Sequence, residues 1–332
     1  MAGIRRRDFI AAAGSTAVAW PHATNAQQPE RTRRIGVLAP LAENDSEGQT
    51  RIAALRKGLQ DFGWTEGRNI RVEYRSTAGD GDRARAYAAE LVALKPDVMV
   101  ASTENALSAL LRETHTVPIV FTQIADPVAG GYVGSLARPG GNVTGFTLYE
   151  FAIGAKWLEL LKQIAPSITR VAVIFDPEAS SADGYLTAIE AGAPSFGVQV
   201  FRSAVRNAVD IERAMSEFAA GSNGGLIVQP GSVIAIHREL IVALAARHRL
   251  PAVHAYRYFV TIGGLASYGV DNIDLYRQAS SYVHRILKGE RPSDLPVQAA
   301  TKFELVINLK TAKALGLDPS ISLLARTDEV IE

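Results

Sequence analysis

The chain states one pattern of strands and helices twice, and that repetition limits what it can fold into more than any other feature. Residues 34–40 (RIGVLAP) and 170–177 (RVAVIFDP) are short apolar runs that read as buried strands. Behind each comes a helical spacing of apolar residues: Ile52, Leu55, Leu59 and Phe62 in the first copy, Leu186, Ile189 and Ala193 in the second. Both helices end on Phe-Gly, at Gly63 and Gly197, where glycine supplies a left-handed stop. Second strands follow at 70–74 and 198–201. Each copy then carries the same Asp-x-x-Arg-Ala, starting at Asp82 and Asp210, with the aspartate expected as the N-cap of the next helix. Third strands occupy 97–102 and 225–229, fourth strands 117–121 and 250–253. Four matches in one order, at similar spacing, indicate a duplicated architecture.

Strands that read as continuous apolar runs between amphipathic helices imply parallel sheets covered on both faces. The expected fold class is therefore α/β, with two doubly wound, Rossmann-like parallel-sheet lobes joined by a hinge. A tail after residue 267 belongs to neither copy and offers a long helix at 271–287, a strand at 304–308 and a short helix at 309–316. The lobes are expected to comprise residues 33–147 plus about 271–299, and 148–270 plus about 300–332. In open parallel sheets, ligands bind outside the carboxyl ends of the strands. With two lobes facing each other, those ends would line one cleft.

The first 28 residues read differently. Arg6-Arg7 precede an apolar, small-residue stretch at 9–20 and a small-residue exit ending at Ala26. This order describes a twin-arginine export signal, with cleavage expected after Ala26 and a periplasmic destination. The apolar stretch is shorter than the roughly 20 residues a membrane span needs. Removing residues 1–26 leaves 32 basic and 33 acidic side chains, a balance that argues against nucleic acid as a partner. No cysteine is present, which excludes disulfides, thiolate metal sites, cysteine nucleophiles and a lipid anchor on cysteine.

Signatures of catalysis are missing: no Gly-x-Ser-x-Gly, no phosphate loop, no Gly-x-Gly-x-x-Gly and no His-Glu-x-x-His. No two histidines share a metal-ligand spacing. The expectation is a protein that is not an enzyme and holds neither cofactor nor metal.

The loops that follow the apolar strands are polar and small. Candidate ligand contacts in the first lobe are Ser102, Thr103, Thr122, Asp126, Phe146 and Thr147; in the second they are Asp176, Gln229, Tyr256 and Asp271. Ser102 and Thr103 stand before a helix whose N-terminus favours an anion, or they only cap it. Asp126 and Asp176 each precede proline and equally suit turns. Asp271 equally suits the cap of the long tail helix. Tyr256, Tyr258 and Phe259 fit core or cleft. A micromolar ligand needs about 8 kcal/mol, and a hydrogen bond to a charged group supplies roughly 1.5 to 3. Three or four such contacts and one aromatic wall suffice, which suits a small polar or zwitterionic, amino-acid-like solute.

Several segments, taken together, resemble one family: the twin-arginine leader, Arg34-Ile-Gly-Val-Leu, Phe62-Gly-Trp64-x-Glu-Gly-Arg-Asn69, Pro118-Ile-Val-Phe121 with Ala125-Asp-Pro127, Gly141-Asn-Val-Thr-Gly145 and Gly263-Gly-Leu-Ala-Ser-Tyr-Gly-Val-Asp271. That family is the substrate-binding proteins of ABC importers related to tryptophan- and tyrosine-binding proteins, particularly the set found in rhizobia. The resemblance spans residues 33–332. It implies a type I periplasmic-binding fold, a monomer that closes on its ligand by hinge motion, and docking on an ABC permease with its ATPase at the inner membrane. It also implies cleft roles for the Ser102-Thr103 loop, Thr122, Asp126, Phe146-Thr147, Asp176, Gln229 and Asp271. The loop at 41–46 departs from the pattern in being acidic, which points away from an aromatic ligand. A ligand-presenting sensor partner and an envelope enzyme on the same fold are the alternative readings.

Overall fold

Runs of Val, Ile and Leu with no polar alternation cannot leave one face in water, so they become strands covered on both sides. A computed structural model describes residues 31–332 apart from Glu43 and Tyr149; the expected export signal and its cleavage point lie outside the described residues. In the first half, β1 (Arg33–Ala39), α1 (Ser46–Asp61), β2 (Ile70–Ser76), α2 (Gly81–Ala93), β3 (Val98–Ala101), α3 (Glu104–Glu113), β4 (Ile119–Ile124) and β5 (Val143–Thr147) alternate along the chain. After α4 (Ile153–Ile164) the second half repeats the plan. It runs β6 (Arg170–Phe175), α5 (Ala182–Phe196), β7 (Gln199–Ala204), α6 (Ala208–Ala219), β8 (Gly224–Val228), α7 (Ser232–Ile236), α8 (Arg238–Arg247), β9 (Ala252–His254), α9 (Arg257–Thr261) and β10 (Ala266–Val270).

The tail supplies α10 (Asn272–Leu287), β11 (Gln298–Ala299), β12 (Phe303–Asn308), α11 (Leu309–Leu315), α12 (Ile321–Leu324) and β13 (Glu329–Ile331). One sheet has the order β11-β5-β4-β3-β1-β2, the other β13-β12-β10-β9-β8-β6-β7. Both share the order second, first, third, fourth, fifth strand, so the repetition in the sequence is a repetition of topology. The fold is α/β with two parallel-sheet lobes, broken among the described residues only by the antiparallel pairing of β12 with β10.

The fifth strands, β5 and β10, lay unread in the Gly141-Asn-Val-Thr-Gly145 and Ala266-Ser-Tyr-Gly-Val270 segments. They are buried runs too short and too glycine-rich to stand out by periodicity. The expected caps also shift. Asp80 and Asn207, not Asp82 and Asp210, accept the first-turn N–H groups of α2 and α6. Both have an extended backbone that an N-cap requires. Asp82 and Asp210 sit within the first turn, where a negative charge still favours the helix dipole, and each ion-pairs with an arginine three residues on. Gly63 and Gly197 do adopt left-handed backbone, at φ +84° and +62°.

Among the described residues the chain passes between the sheets three times: from β5 to α4, from β10 to α10, and from β11 to β12. Helix α4 packs on α5 and on the second sheet, while α10 returns to pack on α1, β4 and β5 of the first. The α1 to α10 contact is close because Gly58 has no side chain; a Cβ there would lie 2.1 Å from Ser280 Oγ and 2.9 Å from Ser280 Cβ. Among the described residues no helix is long and apolar enough to cross a membrane.

Gly58→Ala tests that packing. Alanine gains roughly 1 kcal/mol of helix propensity, but overpacking a tight contact costs about 1 to 3. A net loss of about 1 kcal/mol in urea unfolding is expected. A second test uses His254, fully buried on β9, stacked on Phe259 at 4.5 Å, with neither ring nitrogen partnered. Burial lowers its pKa from 6.5 to about 3. A depressed histidine pKa means that the folded state refuses a proton the unfolded state accepts, so stability is lost as pH falls below 6.5. Thermal melts of His254→Leu are expected to flatten that loss between pH 6.5 and 4.

Candidate ligand-binding site

The polar loops of both lobes meet in a narrow cleft that is partly open to solvent. From the first lobe it is lined by Arg51, Thr103, Glu104, Asn105 and Gln123; from the second by Asp176, Gly231, Ser232, Tyr256 and Tyr258. Of the ten candidates read from sequence, Thr103, Asp176 and Tyr256 line it.

Asp176 directly follows β6 and is 2% exposed. Its carboxylate accepts a hydrogen bond from Glu178 N at 3.0 Å, and among the described residues it has no ion pair. Burial pushes its pKa up. Gly231 allows this crowding, since a Cβ there would come within 2.8 Å of the Asp176 Cβ. Thr103 caps α3, its hydroxyl accepting from Ala106 N at 3.3 Å, which leaves the start of that helix against the cleft. The Tyr256 and Tyr258 rings stack at 5.2 Å and 19°, forming an aromatic wall.

The other candidates lie elsewhere. The Ser102 hydroxyl is buried behind the cleft, bonded to the Tyr276 phenol and to Gln123. Thr122 and Gln229 are buried with their side-chain polar atoms unpartnered. Phe146 packs on Tyr282 at 4.8 Å in the core. Asp126 holds the turn at Val128 and Ala129, and with Thr147 it lines a second cavity beside the chain crossings. Asp271 caps α10 through Ile273 N and Asp274 N, both at 3.0 Å, and ion-pairs with Lys302 at 2.6 Å; it faces a different hollow.

Sequence reading missed Arg51. It stands on the buried stripe of α1, between Gly48, Ile52 and Leu55, and a charge on an apolar stripe was the available signal. The side chain is 3% exposed. Burial opposes its charge, but Glu47 at 2.8 Å and the phenols of Tyr258 and Tyr276 outweigh that and raise its pKa. The guanidinium carbon lies 5.4 Å from the Tyr258 ring centre. Gln123 is held in left-handed backbone, φ +60°, at the end of β4, where the register with β5 shifts. Its amide donates to Asn272 Oδ1 at 2.6 Å and its oxygen accepts from Arg51 Nη1 at 3.3 Å. Strain of this kind collects at functional sites.

Two contacts tie the lobes across the cleft. Arg238 of α8 meets Asp45, the N-cap of α1, at 2.5 Å. Burial works against the Asp45 charge, yet Arg238 and the N–H groups of Gly48 and Glu47 hold its carboxyl below the usual range. Glu104 accepts from Ser180 N at 2.8 Å and Ser180 Oγ at 2.7 Å. The acidic loop after β1 thus spends its Asp45 on a cap and a cross-lobe pair. Among the described residues no cluster of three or more potential metal ligands occurs.

The family model described as ABC transporter substrate binding protein matches residues 34–331. A tyrosine-binding protein of Clostridioides difficile (strain R20291) is 26% identical over 288 residues, 87% of this chain and 82% of that one. A solved conserved domain protein from Vibrio cholerae O1 biovar El Tor gives a TM-score of 0.84 at 28% identity, over 90% of this chain and all of that one. An ABC domain from Streptococcus pneumonia in complex with L-Trp gives 0.83 at 25% identity, over 90% of this chain and 100% of that one. The two-lobed architecture is the type I periplasmic-binding fold.

A double-mutant cycle on Asp45→Asn and Arg238→Met checks the cross-lobe pair. A coupling of about 1 kcal/mol is expected in urea unfolding, discounted for partial solvent screening; strictly additive losses would show that the pair contributes nothing.

Proposed function

The chain belongs to the ABC transporter substrate-binding protein family, and from that premise we propose that it captures a small amino-acid-like zwitterion between its lobes and delivers it to an importer in the inner membrane. The observation that carries this reading is the pairing, in one cleft, of the buried and unpaired carboxylate of Asp176 with the start of α3 at Thr103, beside stacked Tyr256 and Tyr258. Asp176 takes the ligand ammonium. The α3 N-terminus takes the carboxylate, where backbone N–H groups and the helix dipole favour an anion. The tyrosine rings cover the ligand's body.

Capture works by closure. The three chain crossings form the hinge, and the Asp45 to Arg238 and Glu104 to Ser180 contacts bridge the lobes, so opening would part them. Export by the twin-arginine signal puts the protein in the periplasm, facing the permease. The relatives' printed ligands, tyrosine and L-Trp, support an amino acid here, and the ion pair of Asp45 with Arg238 neutralises one acid of the loop after β1.

A thermal-shift screen of the purified protein against amino acids tests the reading, because a ligand that binds only the folded state raises Tm through RT ln(1 + [L]/Kd). No shift with any amino acid, or turnover of a compound that binds, overturns it. Asp176→Asn is expected to weaken binding about 10- to 100-fold, the equivalent of roughly 1.5 to 3 kcal/mol for a hydrogen bond to a charged group. The Asp176 carboxyl must be ionised to hold an ammonium. Affinity is therefore expected to be flat near neutral pH and to fall as pH drops through its raised pKa, as read by titration calorimetry.

A further inference from the structure

Two buried donors in the cleft have no acceptor. Arg51 spends its Nε on Glu47 and its Nη1 on Gln123, but Nη2 reaches no oxygen at hydrogen-bonding geometry, although the Tyr276 phenol stands close by. The Tyr258 hydroxyl, on the ring that the guanidinium overlies, is likewise buried and without a partner. Both residues line the cleft. Groups of this kind are costly to bury unsatisfied, and a fold that keeps two of them side by side holds them ready for something that arrives later.

Among the described residues, the side chains nearest them are already held by other bonds. Gln123, whose oxygen already faces Arg51 Nη1, is fixed by its bond to Asn272. The Tyr276 hydroxyl shares a short hydrogen bond with Ser102 and stands beside Arg51, but Nη2 makes no aligned bond to it. The missing partner of Nη2 must be an acceptor, because guanidinium N–H groups only donate. Charge narrows the choice further. Arg51 is offset by Glu47, and Arg238 by Asp45, while Asp176 and Glu104 face the same cleft with no cation paired to them among the described residues. The cleft is thus net negative before a ligand enters, and a second carboxylate on the ligand would be repelled.

We propose that Arg51 and Tyr258 set specificity by selecting a ligand whose far end carries an uncharged oxygen acceptor, a phenol hydroxyl or a carboxamide. This rests on the amino-acid reading above, with the ammonium at Asp176 and the carboxylate at α3. Matched pairs test it: L-tyrosine against L-phenylalanine, L-glutamine against L-norleucine, and L-glutamine against L-glutamate, each by titration calorimetry on the purified protein. In whichever pair binds, the member with the uncharged acceptor is expected to be about tenfold tighter, and Arg51→Met and Tyr258→Phe are expected to shrink that ratio toward one. Tyr258→Phe removes only an unpartnered hydroxyl, so its ligand-free Tm is expected to hold or rise, and it decides the matter if Arg51→Met fails to fold. Equal affinity within each pair in the unmodified protein, a preference for glutamate, or a ratio left unchanged in both variants overturns the proposal while leaving amino-acid capture intact. Binding of no amino acid at all overturns both.

Discussion

A parallel sheet sends every strand-to-helix loop out of the same end, and the rest of this molecule follows from that constraint. Apolar strands need helices on both faces, so polar side chains are confined to the loops. Two such sheets with the same strand order set two polar ends against each other. Residues as distant as Arg51, Gln123, Asp176 and Tyr258 meet there without any one segment carrying a recognisable motif.

The cleft is held by pairing buried charges rather than by avoiding them. Glu47 steadies Arg51 within one helical turn, Asp45 steadies Arg238 across the lobes, and Glu104 is satisfied by a serine from the other side. Buried pairs of this sort contribute little net stability, because desolvation offsets most of the attraction. Their effect is geometric: they place donors and acceptors at fixed points. Asp176 differs, being buried and left without a counter-charge.

Much of the fold was legible because strands covered on both faces announce themselves as apolar runs and because glycine marks the helix ends at Gly63 and Gly197. The short strands β5 and β10 were not, since five residues containing a glycine carry too little pattern. The site was harder to read. Thr103, Asp176 and Tyr256 follow apolar strands directly, and loop position alone pointed to them. Ser102 follows β3 and Thr122 and Phe146 lie near the ends of β4 and β5, yet strand alternation turns a side chain toward or away from the cleft, and one residue of register decides it. Asp271 had two physical uses, and the helix cap won. Arg51 was hidden because helical periodicity says only that a face is buried, not whether it meets core or cavity.

The three passages of the chain between lobes also impose an order in time. The first lobe lacks α10 until residue 287 has been made, although its strands β1 to β5 end at residue 147. The second lobe is open at one edge until β12 and β13 have been made. Neither half is a domain that a ribosome could release finished while the other is still being built, as sequential domains are. Each lobe waits on residues made after the strands of the other, and a chain cut short anywhere before residue 287 leaves both of them unclosed.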